Sequence, residues 1–189
     1  LNLTPDRRGL IPDRDALTLR KMGQVLRESF TENLLEGASV SATSTLSRSF
    51  GPSGILVPGE EKYWIGAENQ EEAVVTFSLD GRKKFNRLLL QEPIRTRGQR
   101  IESFIFEVFR EGEWQEVSPG TTVGYKRIIR FPEVCAEKIR IRITASRISP
   151  ALSYAGLYQA PPILAEPEIK RDRAGNVKVS STSSDMVFH

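Results

Sequence analysis

Histidine and cysteine are nearly missing from this sequence: there is one of each in 189 residues, and the histidine, His189, is the last of them. Ser-His-Asp and Cys-His nucleophilic arrangements, and zinc sites built on His and Cys, therefore find no set of partners within the chain. A lone Cys135 cannot form an intrachain disulfide, and its place between Val134 and Ala136, just before an expected strand, fits a small buried thiol. Long apolar runs are also missing, since nothing approaches the roughly 18 consecutive apolar residues of a membrane span. No Met, basic stretch or apolar stretch opens the chain at Leu1, so a signal peptide of any parent protein is expected to lie outside it. An excess of one charge is missing as well. Lys+Arg 27 against Asp+Glu 24 leaves +3, with the positive residues interleaved among acids, which is a weak footprint for nucleic acid and makes that partner unexpected.

What is present is patterned. Residues 1–37 read as a loop and one amphipathic helix: Pro12 suits a first turn, Asp13 and Asp15 favour the positive end of a helix, and Leu19, Met22, Leu26 and Phe30 recur at helical spacing. Gly37 is the expected stop. From Ala38 the period changes to two. Expected strands cover residues 38–46, 73–79, 85–91, 101–109, 114–117, 125–131, 137–144 and 154–159, punctuated by turn residues. Arg110-Glu111-Gly112-Glu113 and Asp80-Gly81 are the expected hairpin turns. Lys138, Arg140 and Arg142 alternate with Ile139, Ile141 and Ile143, which reads as a half-buried strand with a solvated or anion-binding outer face.

Eight such strands without helices between them point to an all-β fold, an antiparallel jelly-roll β-sandwich, spanning residues 38–160. Ala160-Pro161-Pro162 and Glu166-Pro167 read as a linker, and residues 168–179 as a strand, a turn and a strand that open a further β domain within residues 161–189. Glu60-Glu61 and Glu71-Glu72 are adjacent in sequence, so neighbours in a strand would point to opposite faces and could not converge as a catalytic pair. An enzyme complete within these residues is not expected.

Five ordered motifs carry a resemblance: Gln91-Glu92-Pro93-Ile94, Gly98-Gln99-Arg100-Ile101, Gly112-Glu113-Trp114-Gln115-Glu116-Val117, Gly120-Thr121-Thr122-Val123-Gly124-Tyr125-Lys126-Arg127 and Ser153-Tyr154-Ala155-Gly156-Leu157-Tyr158. Together they resemble the β-sandwich that follows the barrel in family 29 glycoside hydrolases, the retaining α-L-fucosidases. That sandwich is of the discoidin type, also called coagulation factor V/VIII type C, and is galactose-binding-domain-like. The run from Leu1 to Pro12 is similar to the end of the catalytic domain, and the tail to the start of an additional β domain.

The resemblance implies a C-terminal accessory region, carbohydrate-binding-module-like, whose parent cleaves terminal α-L-fucose with two carboxyl groups about 5 to 5.5 Å apart. Both would lie in the barrel, so no catalytic residue is assigned here. Expected partners are that catalytic barrel and a fucosylated or galactosylated glycan, and the expected location is periplasmic or secreted. The alternative is a free-standing discoidin-type domain that binds glycans, lipid headgroups or protein surfaces. The two readings differ over the N-terminal helix, whose apolar stripe would be covered by a barrel in the first and by this sandwich in the second.

A sugar site needs an aromatic platform beside directional donors. The loop of residues 92–100 offers Arg95, Arg97, Gln99 and Arg100, the turn at Tyr125 adds Lys126 and Arg127, and Arg147 and Tyr154 come from a third segment. Of these, Arg97, Gln99, Arg100, Tyr125, Lys126, Arg147 and Tyr154 are the carbohydrate-binding candidates. Arg100 has a second reading, as a structural residue tying the loop down. Galactose-binding relatives hold calcium in an Asp-Gly loop ahead of a Tyr-Trp pair. Here residues 57–62 precede Tyr63-Trp64 without an evident set of hard oxygen ligands, so no metal or cofactor is expected. Trp64 reads as a core plug.

Overall fold

Alternating burial along β-type runs is what builds this molecule. Its structure, a computed structural model, describes residues 4–161 and the backbone of two later strands. In chain order the elements are α1 (Asp13–Ser29), β1 (Ser39–Ala42), short 3-10 turns at Arg48–Phe50 and Pro52–Leu56, β2 (Trp64–Ile65), β3 (Ala73–Gln91) and α2 (Ile94–Arg97). There follow β4 (Ile101–Arg110), β5 (Glu113–Gly120), β6 (Arg127–Ser146), β7 (Ala151–Leu152), β8 (Tyr154–Tyr158), β9 (Ile169–Arg171) and β10 (Val177–Val179). The main sheet runs β1-β3-β6-β4-β5, with β8 added on β3, while β2 and β7 form a separate ladder. Every pairing among the described strands is antiparallel. β9 pairs with β10, as the alternation in the tail suggests, and the intervening residues 172–176, residues 180–184 and His189 lie outside the described residues.

The sheet folds over on itself. Phe106 of β4 lies opposite Ile141 of β6, whereas Phe131 sits ten residues earlier on β6. At roughly 3.3 Å per residue a flat sheet would hold those positions about 33 Å apart. The rings of Phe106 and Phe131 are instead 5.1 Å apart, and Phe85 meets them at 6.3 and 6.1 Å. The two halves of β3 and β6 therefore face each other across one core, with Phe77, Phe85, Phe104, Phe106, Leu88, Leu90, Ile139 and Ile141 fully buried.

The corner lies at two irregularities. Residues 79–82 of β3 stand opposite Glu137 alone, and residues 131–133 of β6 stand opposite Asn86. Asp80-Gly81 is thus not the expected hairpin turn. Gly81, at φ 80°, kinks a strand that continues, so the expected strands 73–79 and 85–91 are one element, as are 125–131 and 137–144. Extra residues on one strand bend it without ending it, and Cys135 consequently lies within β6. The expected turn at Arg110–Glu113 does form, with Glu111 and Gly112 both at positive φ, as a two-residue hairpin needs.

α1 carries Asp13 and Asp15 in its first turn and Arg27 in its last, as its dipole favours. It stops at Ser29, well before Gly37, because Phe30 leaves the helical path to pack edge-on against Tyr158 at 5.0 Å. Of the expected stripe only Phe30 reaches the sheet. Met22 and Leu26 are 45% and 47% exposed, and Val25 lies bare beside them. Next, Asn33 accepts hydrogen bonds from the backbone N–H groups of Leu35 and Leu157, and Leu34 N–H donates to the Leu157 carbonyl, which caps the open side of β8. Trp64 is fully buried and donates through Nε1 to the Ser44 carbonyl at 2.9 Å, so it plugs the core as expected.

Two buried carboxylates organise the polar parts. Glu92, with no exposed surface, accepts backbone N–H bonds from Arg100 at 2.7 Å, Ile101 at 2.9 Å and Gly124 at 2.7 Å. On the outer sheet face, Glu107 takes Arg140 at 2.7 Å and Arg142 at 3.2 Å, while Arg140 lies 4.3 Å from the Trp114 ring centre and Lys138 lies 5.7 Å from that of Phe109. The basic row of β6 is thereby paired and stacked. Burial pushes the Glu107 carboxyl up, but the bonds from Arg140 and Arg142 outweigh it and hold it below its ordinary 4.5.

Glu92→Ala leaves three N–H groups without their acceptor and is expected to destabilise the chain by about 3 kcal/mol in urea denaturation. Glu107 has a lowered folded-state value, so its contribution is complete above the unfolded value near 4.5 and is lost as pH falls. The stability difference between wild type and Glu107→Gln should accordingly be largest near neutral pH and shrink in acid. Equal differences at both ends of a pH series of denaturation curves would contradict this.

Candidate functional site

Strand ends dictate where variable loops can gather. β3 delivers Gln91 and Glu92 to one end of the sheet, where α2, the turn before β6 and the segment after β6 also emerge. Glu92 fastens the first two by its three N–H bonds, and Gln91 Nε2 donates to the Tyr125 carbonyl at 3.1 Å. Arg147 N–H donates to the Arg100 carbonyl, which ties in the third. Gly124, at φ 66°, turns the chain beside Gln99, whose Oε1 would lie 3.9 Å from a β-carbon there.

This end brings together Arg95, Arg97, Gln99, Arg100, Tyr125, Lys126, Arg127 and Arg147, but they are not equivalent. Arg100 is structural: its Nε donates to the Arg97 carbonyl and its Nη1 to the Ser149 carbonyl at 2.8 Å. Burial, and then the charge of Arg97, lowers its pKa, with Glu92 and Tyr63 opposing. The Arg97 guanidinium lies over the Phe50–Tyr63 pair, 5.4 and 5.6 Å from ring centres that are themselves 5.2 Å apart, and its Nε donates to the Tyr63 hydroxyl. Arg147 pairs with Glu102 at 3.1 Å. Gln99, Tyr125, Lys126 and Arg127 are exposed, with no side-chain hydrogen bond among the described residues, and the Tyr125 ring is 58% exposed. They form the available platform and donors.

Tyr154 does not join them. It is buried on the outer face of the β8–β3 half, its hydroxyl 3.0 Å from that of Tyr158 and accepting from Asn33 Nδ2. Burial, then the bond to Tyr154, pushes the Tyr158 hydroxyl well up. In the loop before Tyr63, Glu60 accepts from the Arg95 N–H at 3.3 Å, and among the described residues no group of three or more His, Cys, Asp or Glu could hold a metal ion. Glu61, Glu71 and Glu72 are exposed.

Sequence reasoning did not single out Glu92 as the anchor of this end, because its partners lie 8, 9 and 32 residues away and leave no local pattern. Phe50 and Tyr63 were missed for the same reason.

No family model matches the chain. It is 38% identical over 164 residues to alpha-L-fucosidase 1 of Arabidopsis thaliana, an alignment covering 84% of this chain and 32% of that protein. Among solved structures, a putative alpha-L-fucosidase from Bacteroides thetaiotaomicron superposes with a TM-score of 0.80 at 31% identity, covering 87% of this chain and 36% of the other. A chitosan-binding module of a chitosanase/glucanase from Paenibacillus sp. IK-5, at 20% identity and a TM-score of 0.60, shares the fold over 67% of this chain and 97% of its own length. The chain spans about a third of the length of the curated relatives it matches. Over 84% of its residues it is homologous to α-L-fucosidases of glycoside hydrolase family 29.

Proposed function

We propose that this chain is the non-catalytic accessory region of a periplasmic or secreted α-L-fucosidase, a discoidin-like jelly-roll module that supports the catalytic barrel and binds carbohydrate at the loop end. In this reading residues 1–37 are the tail of the catalytic domain, residues 38–160 the module, and residues 161–189 the linker and start of another β domain. The observation that carries it is the bare apolar side of α1. Leu19, Met22 and Leu26 share one side of that helix, and the sheet leaves Met22 and Leu26 about half exposed. Apolar residues at helical spacing call for a covering surface.

The outer face of β8, β3 and β6 supports the same partner. Arg87 lies directly across from Arg130 and is buried to 9% exposure, with its Nη1 donating to the Asn86 carbonyl and no carboxylate paired with it among the described residues. Burial first, then Arg130, lowers its pKa. Like charges directly opposite on neighbouring strands are unfavourable, so an acidic group on the docked surface would relieve the pair.

Three experiments test the reading. The chain alone should release no fucose from an aryl α-L-fucoside, and activity from it would sink the assignment. Met22→Glu with Leu26→Glu should change the stability of this chain by less than about 0.5 kcal/mol, yet lower the melting temperature of a protein in which it is joined to its catalytic domain. On a glycan array, fucosylated or galactosylated ligands should be retained. Tyr125→Ala should weaken them roughly three- to tenfold, the loss of one aromatic contact, whereas Arg100→Ala should act mainly on stability. Retention of no glycan would leave the supporting role alone.

A further inference from the structure

Five arginines and lysines are in ion pairs among the described residues: Arg140 and Arg142 share Glu107, Arg147 meets Glu102, Lys84 meets Glu133 and Arg8 meets Asp6. Arg48 and Lys62 are set apart by their place, on the walls of a single groove. Both are exposed, neither is in an ion pair among the described residues, and both line one groove of about 370 Å³ between the 3-10 turns and the loop entering β2. Ser49, Ser53, Gly54 and Tyr63 also line it, and no Asp or Glu does. The neighbouring acids are Glu60, which accepts the Arg95 N–H, and Glu61, which is exposed on the loop.

Its construction is set by contacts below it. A β-carbon on Gly54 would lie 3.0 Å from the Tyr63 backbone nitrogen, so only glycine lets the 3-10 turn close against this loop without displacement. Tyr63 is fixed by Phe50, 5.2 Å away, and by Arg97, which stacks on both rings and donates to the Tyr63 hydroxyl at 3.1 Å. With Arg97 occupying that hydroxyl's acceptor side, its proton is free to be donated. The guanidinium also adds a third positive charge behind the ring.

We propose that this groove is a binding site for an acidic sugar residue, one bearing a sulfate ester or a carboxylate. Arg48 and Lys62 take the anionic group, since two cations on the wall of one cleft, neither in an ion pair and with no carboxylate in the lining, attract a counter-charge and guanidinium pairs well with oxyanions. The Ser49, Ser53 and Tyr63 hydroxyls then meet the hydroxyl-bearing parts of the pyranose. The volume falls within the range of small-ligand sites, at the lower end suited to one sugar unit. This inference does not depend on the accessory role, and it separates the groove from the neutral-sugar platform at Tyr125.

The test is an NMR titration of the chain with galactose 6-sulfate, galacturonate, galactose and inorganic sulfate, read at the amides of residues 48–54 and 62–63. One or both acidic sugars should shift those amides, and which one does so distinguishes sulfate ester from carboxylate. Binding should weaken with added salt. Arg48→Gln with Lys62→Gln should weaken it at least about tenfold, with the melting temperature unchanged because both side chains are exposed. Galactose binding as tightly as the acidic sugars, inorganic sulfate binding as tightly as galactose 6-sulfate, or an unaffected double variant would each overturn the proposal. None of these results bears on fucosidase activity or on docking through α1, so the two readings fail separately.

Discussion

Phe85, Phe106 and Phe131 meet only because β3 and β6 turn a corner, and the rest of the molecule is arranged around that contact. The cluster buries rings from three strands, β3, β4 and β6, and both halves of the folded sheet. Once it forms, the bulges opposite Glu137 and Asn86 are no longer defects in a ladder but the places where the ladder has to give. Burial of the isoleucine and leucine rows follows, because the inward positions of both halves now share one interior.

Loop positions depend on that corner at one remove. β3 presents Glu92 at its far end, where a carboxylate with no exposed surface has to find donors. It finds them in three backbone N–H groups from two separate loops, so one side chain fixes α2 and the turn at Gly124 together. Glu107 answers the same requirement differently, with two guanidinium groups stacked or spread on an open sheet face. The first solution orders the loops at one end of the sheet, while the second neutralises a flat surface that would otherwise be strongly basic.

The sequence displayed what is local and hid what is not. Alternation placed the strands, the Glu111-Gly112 pair placed its turn, and the isoleucines of β6 were recognisable as an inward row. Asp80-Gly81 misled because a dipeptide suited to a hairpin also suits a bulge at positive φ, and only the pairing partner on β6 decides between them. Helix α1 was visible by its spacing, but its end was not, since the ring of Tyr158, more than a hundred residues away, draws Phe30 off the axis. Arg97, Gln99, Arg100, Tyr125, Lys126 and Arg147 lie at one end of the sheet, and Tyr154 does not. Its aromatic ring looked like a platform in sequence and is instead part of a hydroxyl-linked pair under the end of α1.

The free sides of the sheet bear on self-association. β1 is only four residues long, β5 carries Pro119, which has no N–H to offer, and the segment at Asn33 and Leu34 occupies the open side of β8. At these three margins another strand approaching from solution finds too short a template, a missing donor or a position already filled, and the side of β6 left open by β4 over residues 127–136 is broken by Pro132, within the bulge opposite Asn86. Among the described residues these margins therefore offer little unbroken backbone to a second copy, and side-chain surfaces carry more of what the sheet can join.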